Sequence, residues 1–377
     1  MMNTKITRPP IESLACVEPE CDVYGQVGQG NLTVRKTYGE DRIRYLRCRR
    51  CGGEFSERKG TALWNTKVSE AKAISVAEHL SEGCSQESVA RLVKIDISVV
   101  QRLNRVVGQH SRRFHDAQVQ QVEVAALAAD ERYGFSGTKL EPMWEAEVMD
   151  PQSKLILAHV QGRRGEELIR HLYQETVQRV TNRHHLVLFT DGEHSYASLF
   201  PEFFGVAYQP SRQGERGRLP KTRYRIPRTL AHVQIIKRRE GRRVVEVAIR
   251  YTHGSRKCAQ QALDVLGYHQ PNTSAIERRN ATARRMAVYQ VRKSLAFARR
   301  AAVKSAVGWW GVTVYNWCRP GALWARTLRS PLAHPTGKKS SCNVRRPWPA
   351  GLPVTFSQSG KSCSRRSIRL VPGDNLT

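Results

Sequence analysis

Three things are scarce in this sequence: long apolar runs, acidic side chains, and cysteine beyond the first fifty-odd residues. No stretch approaches the roughly 18 apolar residues that a membrane-crossing helix needs, and no signal peptide opens the chain. A membrane partner is therefore not expected. The nine cysteines are too unevenly spread for a secreted disulfide framework. Four sit in paired spacing near the start, whereas Cys84, Cys258, Cys318, Cys342 and Cys363 are scattered. That usage fits a cytosolic chain with one metal site and free thiols. Acid is the sharpest shortage: 33 Asp and Glu stand against 62 Lys and Arg, a net charge of +29. Self-repulsion of that size is best tolerated beside a polyanion, so nucleic acid is the first expected partner. A structural RNA-binding protein would be equally basic, but such proteins rarely need the apolar strands found further on. At 377 residues the chain has room for two or three domains, each with a core.

Cys16-x4-Cys21 and Cys48-x2-Cys51 are two ligand pairs, 26 residues apart. Four thiolates in a tetrahedron suit Zn²⁺, and two short knuckles can supply them. The alternation Arg42-Ile43-Arg44-Tyr45-Leu46-Arg47 predicts short strands between the knuckles, and Gly52-Gly53 allows the second a tight turn. The reading is a zinc ribbon over 12–59; four unrelated reduced cysteines are the plainer alternative. A structural ion would explain how so small an apolar content folds.

Residues 64–110 read as a helix-turn-helix, with segments at Val68–Ser81, Gln86–Val93 and Ile97–Val107. Val89, Leu92, Val93, Ile95, Val99, Val100 and Leu103 fall at core spacings. Gln101, Arg102, Asn104 and Arg105 on the third segment are candidates for base edges and phosphates. An ordinary helical hairpin remains the alternative. His110 and His115 fall in a polar stretch, 110–121, that reads as a linker or linking helix with solvated histidines.

From Val122 the period changes. Strands are expected at Val122–Ala129, Trp144–Met149 and Lys154–Val160, a helix at Glu166–Val180, a buried strand at His185–Thr190, and a helix at Ser195–Phe204. Three strands, helix, strand, helix is the order of an RNase H-like mixed sheet. Ser211–Arg228 reads as an exposed basic loop and Arg243–Tyr251 as a strand. Helices are expected at Thr273–Arg285 and Tyr289–Val307. Trp309, Trp310, Tyr315 and Trp317 fit core packing better than base stacking. The fold class is thus multidomain α/β, with a catalytic domain over 120–328 and a disordered basic tail, or read-through segment, over 329–377.

Three carboxylates stand out. Asp130 ends one strand, Asp191 ends another, and Glu277 is the lone acid among Arg278, Arg279, Arg284 and Arg285. On a helix Asn280 shares its face. Glu277 balancing those arginines on a solvated face is the plain reading. An anionic cluster beside a phosphate track suits divalent Mg²⁺ (or Mn²⁺), which takes a few carboxylates plus substrate phosphates. Glu131 and Glu193 are the nearest substitutes within each acidic pair.

The ribbon, the helix-turn-helix, DERYGF, FTDGEHSY, IERRNATAR, RKSLAFAR and YNWCRPGALW resemble bacterial insertion-sequence transposases with a DDE catalytic domain, of the IS-one-like type. The resemblance covers about Cys16 to Leu323. Gly321 stands where relatives carry His, and the tail has no counterpart. The resemblance implies that Asp130, Asp191 and Glu277 bind magnesium as a catalytic triad, with Asn280 and Arg284 supporting the helix or the DNA end. It implies recognition of terminal inverted repeats in double-stranded DNA, cleavage there, and strand transfer into target DNA. It also implies a homo-oligomer, at least a dimer, associated with the bacterial nucleoid. A DNA-binding regulator derived from an inactive transposase and an RNase H-like nuclease are the alternatives.

Overall fold

The computed structural model describes residues 8–211, 220–241, 243–290 and 296–318. Residues 212–219 of the expected Ser211–Arg228 loop, Gly321 and the tail lie outside the described residues, and within the rest of that stretch Arg223–Arg225 pairs with Val206–Tyr208 as a short strand and is not loop. The chain divides into two compact units. Among the described residues the first takes 8–117 and 313–318, and the second takes 118–312.

In the first unit β1 (Leu32–Tyr38), β2 (Ile43–Cys48) and β3 (Glu54–Ser56) form an antiparallel sheet. Leu32, Leu46 and Phe55 pack with Cys16, Cys21 and Cys48. Asp41 then accepts from Arg58 at 2.6 Å and from the Glu70 amide at 2.8 Å, which ties the sheet to the start of the next helix. Three helices follow: α1 (Glu70–Ser81), α2 (Gln86–Val93) and α3 (Ile97–Gln118). Ser69 and Ser85 cap the first two by accepting backbone amides. Leu63, Ala73, Val76, Val89, Val100 and Leu103 make their shared core.

Three expectations change here, and a fourth resolves to one of its two readings. Leu92 is 60% exposed, because the buried side of α2 runs through Gln86 and Val89 and Leu92 lies off that stripe. Asn104 is buried, in phase with Val100, Leu103, Gly108 and Ser111, so it faces the helical core and not a base edge. The 110–118 stretch continues α3 without a break, so of its two readings the helix is the one found. His115 is fully buried there, edge-on to Trp317 at 5.9 Å, and not solvated.

The second unit begins with β4 (Ala126–Arg132), the small hairpin β5 (Phe135–Ser136) and β6 (Thr138–Pro142), then β7 (Trp144–Met149) and β8 (Ile156–Gly162). There follow α4 (Glu166–Val177), β9 (Val187–Thr190), α5 (His194–Phe204), the short pair β10 (Val206–Tyr208) and β11 (Arg223–Arg225), β12 (Ala231–Glu240) and β13 (Arg243–His253). The helices α6 (Arg256–Leu266), α7 (Ser274–Met286) and α8 (Ala301–Thr313) complete it. The main sheet has the order β13-β12-β9-β4-β7-β8. β7 runs antiparallel to both of its neighbours, β4 and β8, while β9 and β12 run parallel to β4 and β13 returns antiparallel. This mixed α/β sheet is compatible with an RNase H-like domain, with β13 added at one edge. Cys258, Ala259, Ala262 and Leu263 of α6 close the core over β9 and β12.

β4 starts later and runs further than the apolar run 122–129 predicts. β7 pairs it through Asp130↔Glu147, Glu131↔Ala146 and Arg132↔Glu145, so the partner strand sets its length. The expected helix over 289–307 is also not one helix. α7 stops at Met286, and α8 begins only at Ala301. No Gly or Pro marks the break. Ala298 is buried and its carbonyl accepts from Gly137 at 2.9 Å, so a tertiary contact overrides local propensity. Trp309, Trp310 and Trp317 are all buried, and Tyr315 is half-buried.

Val89→Ala is expected to destabilise the α2–α3 region by roughly 2 kcal/mol, while Leu92→Ala changes it by less than about 0.5 kcal/mol. Hydrogen exchange of the α2 and α3 amides measures both.

Candidate metal centres

The four cysteines of the first unit come together. All four sulfurs lie within 4.8 Å of one another. Cys16 and Cys51 approach to 3.7 Å and Cys21 and Cys48 to 3.9 Å. A disulfide would need about 2.05 Å, whereas tetrahedral bonds of ~2.3 Å to sulfur put the sulfurs about 3.8 Å apart. Local donors suit thiolates. Asn31 Nδ2 donates to Cys48 Sγ at 3.1 Å, and the Gly53 amide to Cys51 Sγ at 3.4 Å. Burial alone would raise the Cys48 thiol, but the Cys51, Asn31 and Arg50 donors bring it below the usual thiol range. Gly52 turns the knuckle at φ +73°, where a side chain would be strained. The set fits a soft divalent ion.

The second centre is built on the sheet. β4 carries Asp130 and Glu131, and Asp191 is the first residue after the parallel neighbour β9. Carboxylate oxygens of Asp130, Glu131 and Asp191 lie within 4.8 Å of one another. Burial and Asp191 raise Asp130 to about 6, although the Glu131 amide and Asn280 pull the other way. Burial, Asp191 and Asp130 raise Glu131 to about 8. Burial also raises Asp191, against the Glu193 amide that donates to it at 3.0 Å. Three crowded carboxylates, each above its ordinary range, form a pocket of negative potential that fits a hard divalent cation.

Glu277 stands just apart. It accepts from Lys237 and, at 2.6 Å, from Thr273, and it acts electrostatically on both Asp130 and Asp191. Its partial burial would raise it, but the Lys237 and Thr273 bonds hold it below the usual carboxylate range. Arg284 is half-buried on the same helix. Asn280 is buried. Its Nδ2 donates to Asp130 at 2.8 Å, and its Oδ1 accepts from Arg132 Nη1 at 3.0 Å. Both ends of the amide are taken up inside the protein, so in this structure it ties the helix to Asp130 and orients that carboxylate. Gln101, Arg102 and Arg105 are exposed on α3, with Arg102 also donating to the Asn65 carbonyl at 2.7 Å.

Beneath the carboxylates lies a network that the sequence reading missed. Arg132 spans Glu145 (2.5 Å) and Glu147 (2.8 Å) on β7. Arg279 bonds Glu147 at 3.0 Å, Lys304 bonds Glu145, and His159 Nδ1 lies 3.0 Å from Glu147. All six are at most 2% exposed. Burial would raise Glu145 and Glu147, yet the surrounding cations hold both below the usual range. Gly308 lets α8 approach: a Cβ there would come within 2.7 Å of His159 and Gln161 ring and amide nitrogens. The available signal was two acids, Glu145 and Glu147, inside an otherwise apolar strand. Tyr196 is a second omission, a fully buried phenol influenced by Glu131 and Asp130.

No protein-family model matches the chain, and no curated protein matches it in sequence. Among solved structures it is similar to a piggyBac transposase in a synaptic complex with hairpin DNA, at 8% identity and a TM-score of 0.32. That match covers 66% of this chain and 65% of the other, so the chain spans just under two thirds of that protein's length. A Mos1 pre-cleavage transpososome matches at 8% identity and a TM-score of 0.20, over 66% of this chain and 76% of the other. The Mos1 strand transfer complex gives 8% and 0.18, over 66% and 78%. Similarity of this size says nothing about chemistry, which the side chains must carry.

Two outcomes follow from the centres. Metal analysis of the purified chain is expected to return about one tightly held ion that Cys48→Ser removes. For the acidic centre, the folded state binds protons more tightly than the unfolded chain. Metal-free stability therefore falls as pH rises from the ordinary carboxyl range through about 6 for Asp130 and about 8 for Glu131. Added Mg²⁺ relieves that loss, so its increase in Tm is expected to be larger at pH 8 than at pH 5.5.

Proposed function

We propose that this chain is a DNA transposase of the DDE type, of the kind found in bacterial insertion sequences. The observation that carries the reading is one site fed by three separate elements. Asp130 comes from a middle strand, Asp191 from the end of its parallel neighbour, and Asn280 and Glu277 come from one face of α7. A net charge of +29 around an acidic pocket supports a phosphodiester substrate.

Asp130, Asp191 and Glu277 are the carboxylates that would hold magnesium or manganese, with Glu131 beside them. Divalent ions there would neutralise phosphoryl oxygens and support in-line displacement. Asn280 fixes the rotamer of Asp130, and Lys237 holds Glu277 ionised next to the pair. Arg164, half exposed and bonded to Glu193 at 3.1 Å, offers a cation to a phosphate at the pocket edge. The first step is hydrolysis of a phosphodiester at the element end: water adds to phosphorus and the 3′-oxygen leaves as a free hydroxyl. In the second step that hydroxyl attacks a target phosphodiester, joining the strands and releasing a target 3′-hydroxyl. Neither step needs a covalent protein intermediate, so no Ser or Tyr nucleophile is assigned.

Four thiolates suit structural zinc, and the sheet they stabilise precedes a helix-turn-helix. Gln101, Arg102 and Arg105 would read the terminal inverted repeats. A homo-oligomer would pair the two ends. Among the described residues no helix is long and apolar enough to cross a membrane.

A supercoiled plasmid carrying the gene with its native flanking DNA tests the reading. Wild-type protein with Mg²⁺ is expected to nick at a matched inverted pair and to join those ends to target. Asp191→Asn is expected to reduce cleavage to background while DNA binding stays within about twofold of wild type. Comparing Glu277→Gln with Glu131→Gln identifies the third carboxylate. Nicks that are never joined would reassign the chain as a nuclease, and retained cleavage in Asp191→Asn would remove that residue from the site.

A further inference from the structure

The hairpin of β12 and β13 extends beyond the sheet that it belongs to. β9 pairs β12 only as far as Gln234, whereas β12 continues to Glu240. Six further residues at ~3.3 Å each make an arm of about 20 Å. From Arg238 onward both strands are exposed, including Val244, Val245 and Val247 at 43–46%. A two-stranded ribbon without a core is marginal alone, and among the described residues its three valines keep nearly half of their surface open. The 237–247 segment carries five basic and two acidic side chains.

We propose that this arm is a duplex-DNA-binding ribbon that guides DNA to the carboxylates. A two-stranded ribbon fits a major groove about 12 Å wide. Exposed Arg238 and Arg243 would meet the phosphates on either side, and the valines would meet apolar base edges. The root of the arm belongs to the acidic site. Ile236 packs on Gly192, Gln234 Nε2 donates to the Glu193 carbonyl at 3.0 Å, and Lys237 bonds Glu277. DNA lying along the arm therefore runs toward Asp130 and Asp191. Edge-to-edge pairing with a second copy is the rival occupant. It would bring two arms of the same net charge together, whereas a polyanion gains from that charge. The proposal rests on DNA being the partner, but not on any cleavage step.

The test uses the full chain and a fluorescent 30-base-pair duplex, with two readouts. Replacing two of the exposed arginines, one on each strand (Arg238→Ala with Arg243→Ala), is expected to flatten the log–log salt dependence of binding by about 2, one per phosphate contact. With p-benzoylphenylalanine in place of Val245, ultraviolet light is expected to give a protein–DNA adduct, also in the Asp191→Asn background. An unchanged salt slope, a protein–protein adduct or no DNA adduct each overturns the proposal. Adducts formed by a wild-type chain that never cleaves would sink the transposase reading alone. Cleavage with an unchanged slope would sink the ribbon alone.

Discussion

Arg132 is the side chain on which the acidic half of the molecule depends. It is a guanidinium that can only donate, buried between Glu145 and Glu147. One of its Nη1 hydrogens goes to Asn280, and that bond fixes the amide. Oδ1 must face the arginine, so Nδ2 must face Asp130. A carboxylate on a central strand thus receives its orientation from a charge two residues along the same strand. A buried ion pair brings little net stability once desolvation is counted. What it brings here is a unique arrangement, because removing Glu145 strands Lys304 and removing Glu147 strands Arg279.

Such a network explains how a chain so short of acid uses the acid it has. Two glutamates are committed to the interior, where Arg132, Arg279 and Lys304 neutralise them. Among the described residues Asp130, Glu131 and Asp191 make no ion pair with a cation, although Arg164 acts on Glu131 and Asp191 electrostatically, and the three crowd each other instead. The contrast is between acids satisfied by protein cations and acids left for an added one. Surface charge balance would have distributed both groups alike.

The parts legible in the sequence were those with a local code. Paired cysteines announce their cluster by spacing, and helices by period, with Ser69 and Ser85 capping the first two, so α1, α2, α4 and α7 are found within a few residues. Asp191 follows a short apolar run that a buried strand fits best, and Val187–Thr190 is that strand. What stayed hidden depends on distant partners. Lys304 sits in a basic stretch and looks solvated, yet Glu145, 159 residues earlier, draws it inside. Asn104 has a polar name on a buried helical phase. β12 and α6 fall between basic loops with no clean alternation, and they become elements only because β9 and β13 pair with and pack on them. Asp130 was recognisable as an acid near a strand end, but its position inside the strand is decided by β7.

The uninterrupted length of α3 has one more consequence. Its 22 residues span about 33 Å at ~1.5 Å each. Exposed Gln101, Arg102 and Arg105 lie near one end, and the buried Ser111 and His115 nearer the other. The helix therefore works as a ruler with a fixed phase. One residue inserted between the two sets would turn one against the other by about 100°, carrying the arginines off their face or the histidine out of its packing. Substitutions along that rod are absorbed singly, but its count is not free to drift. Lineages of this chain should vary in the letters of α3 long before they vary in its length.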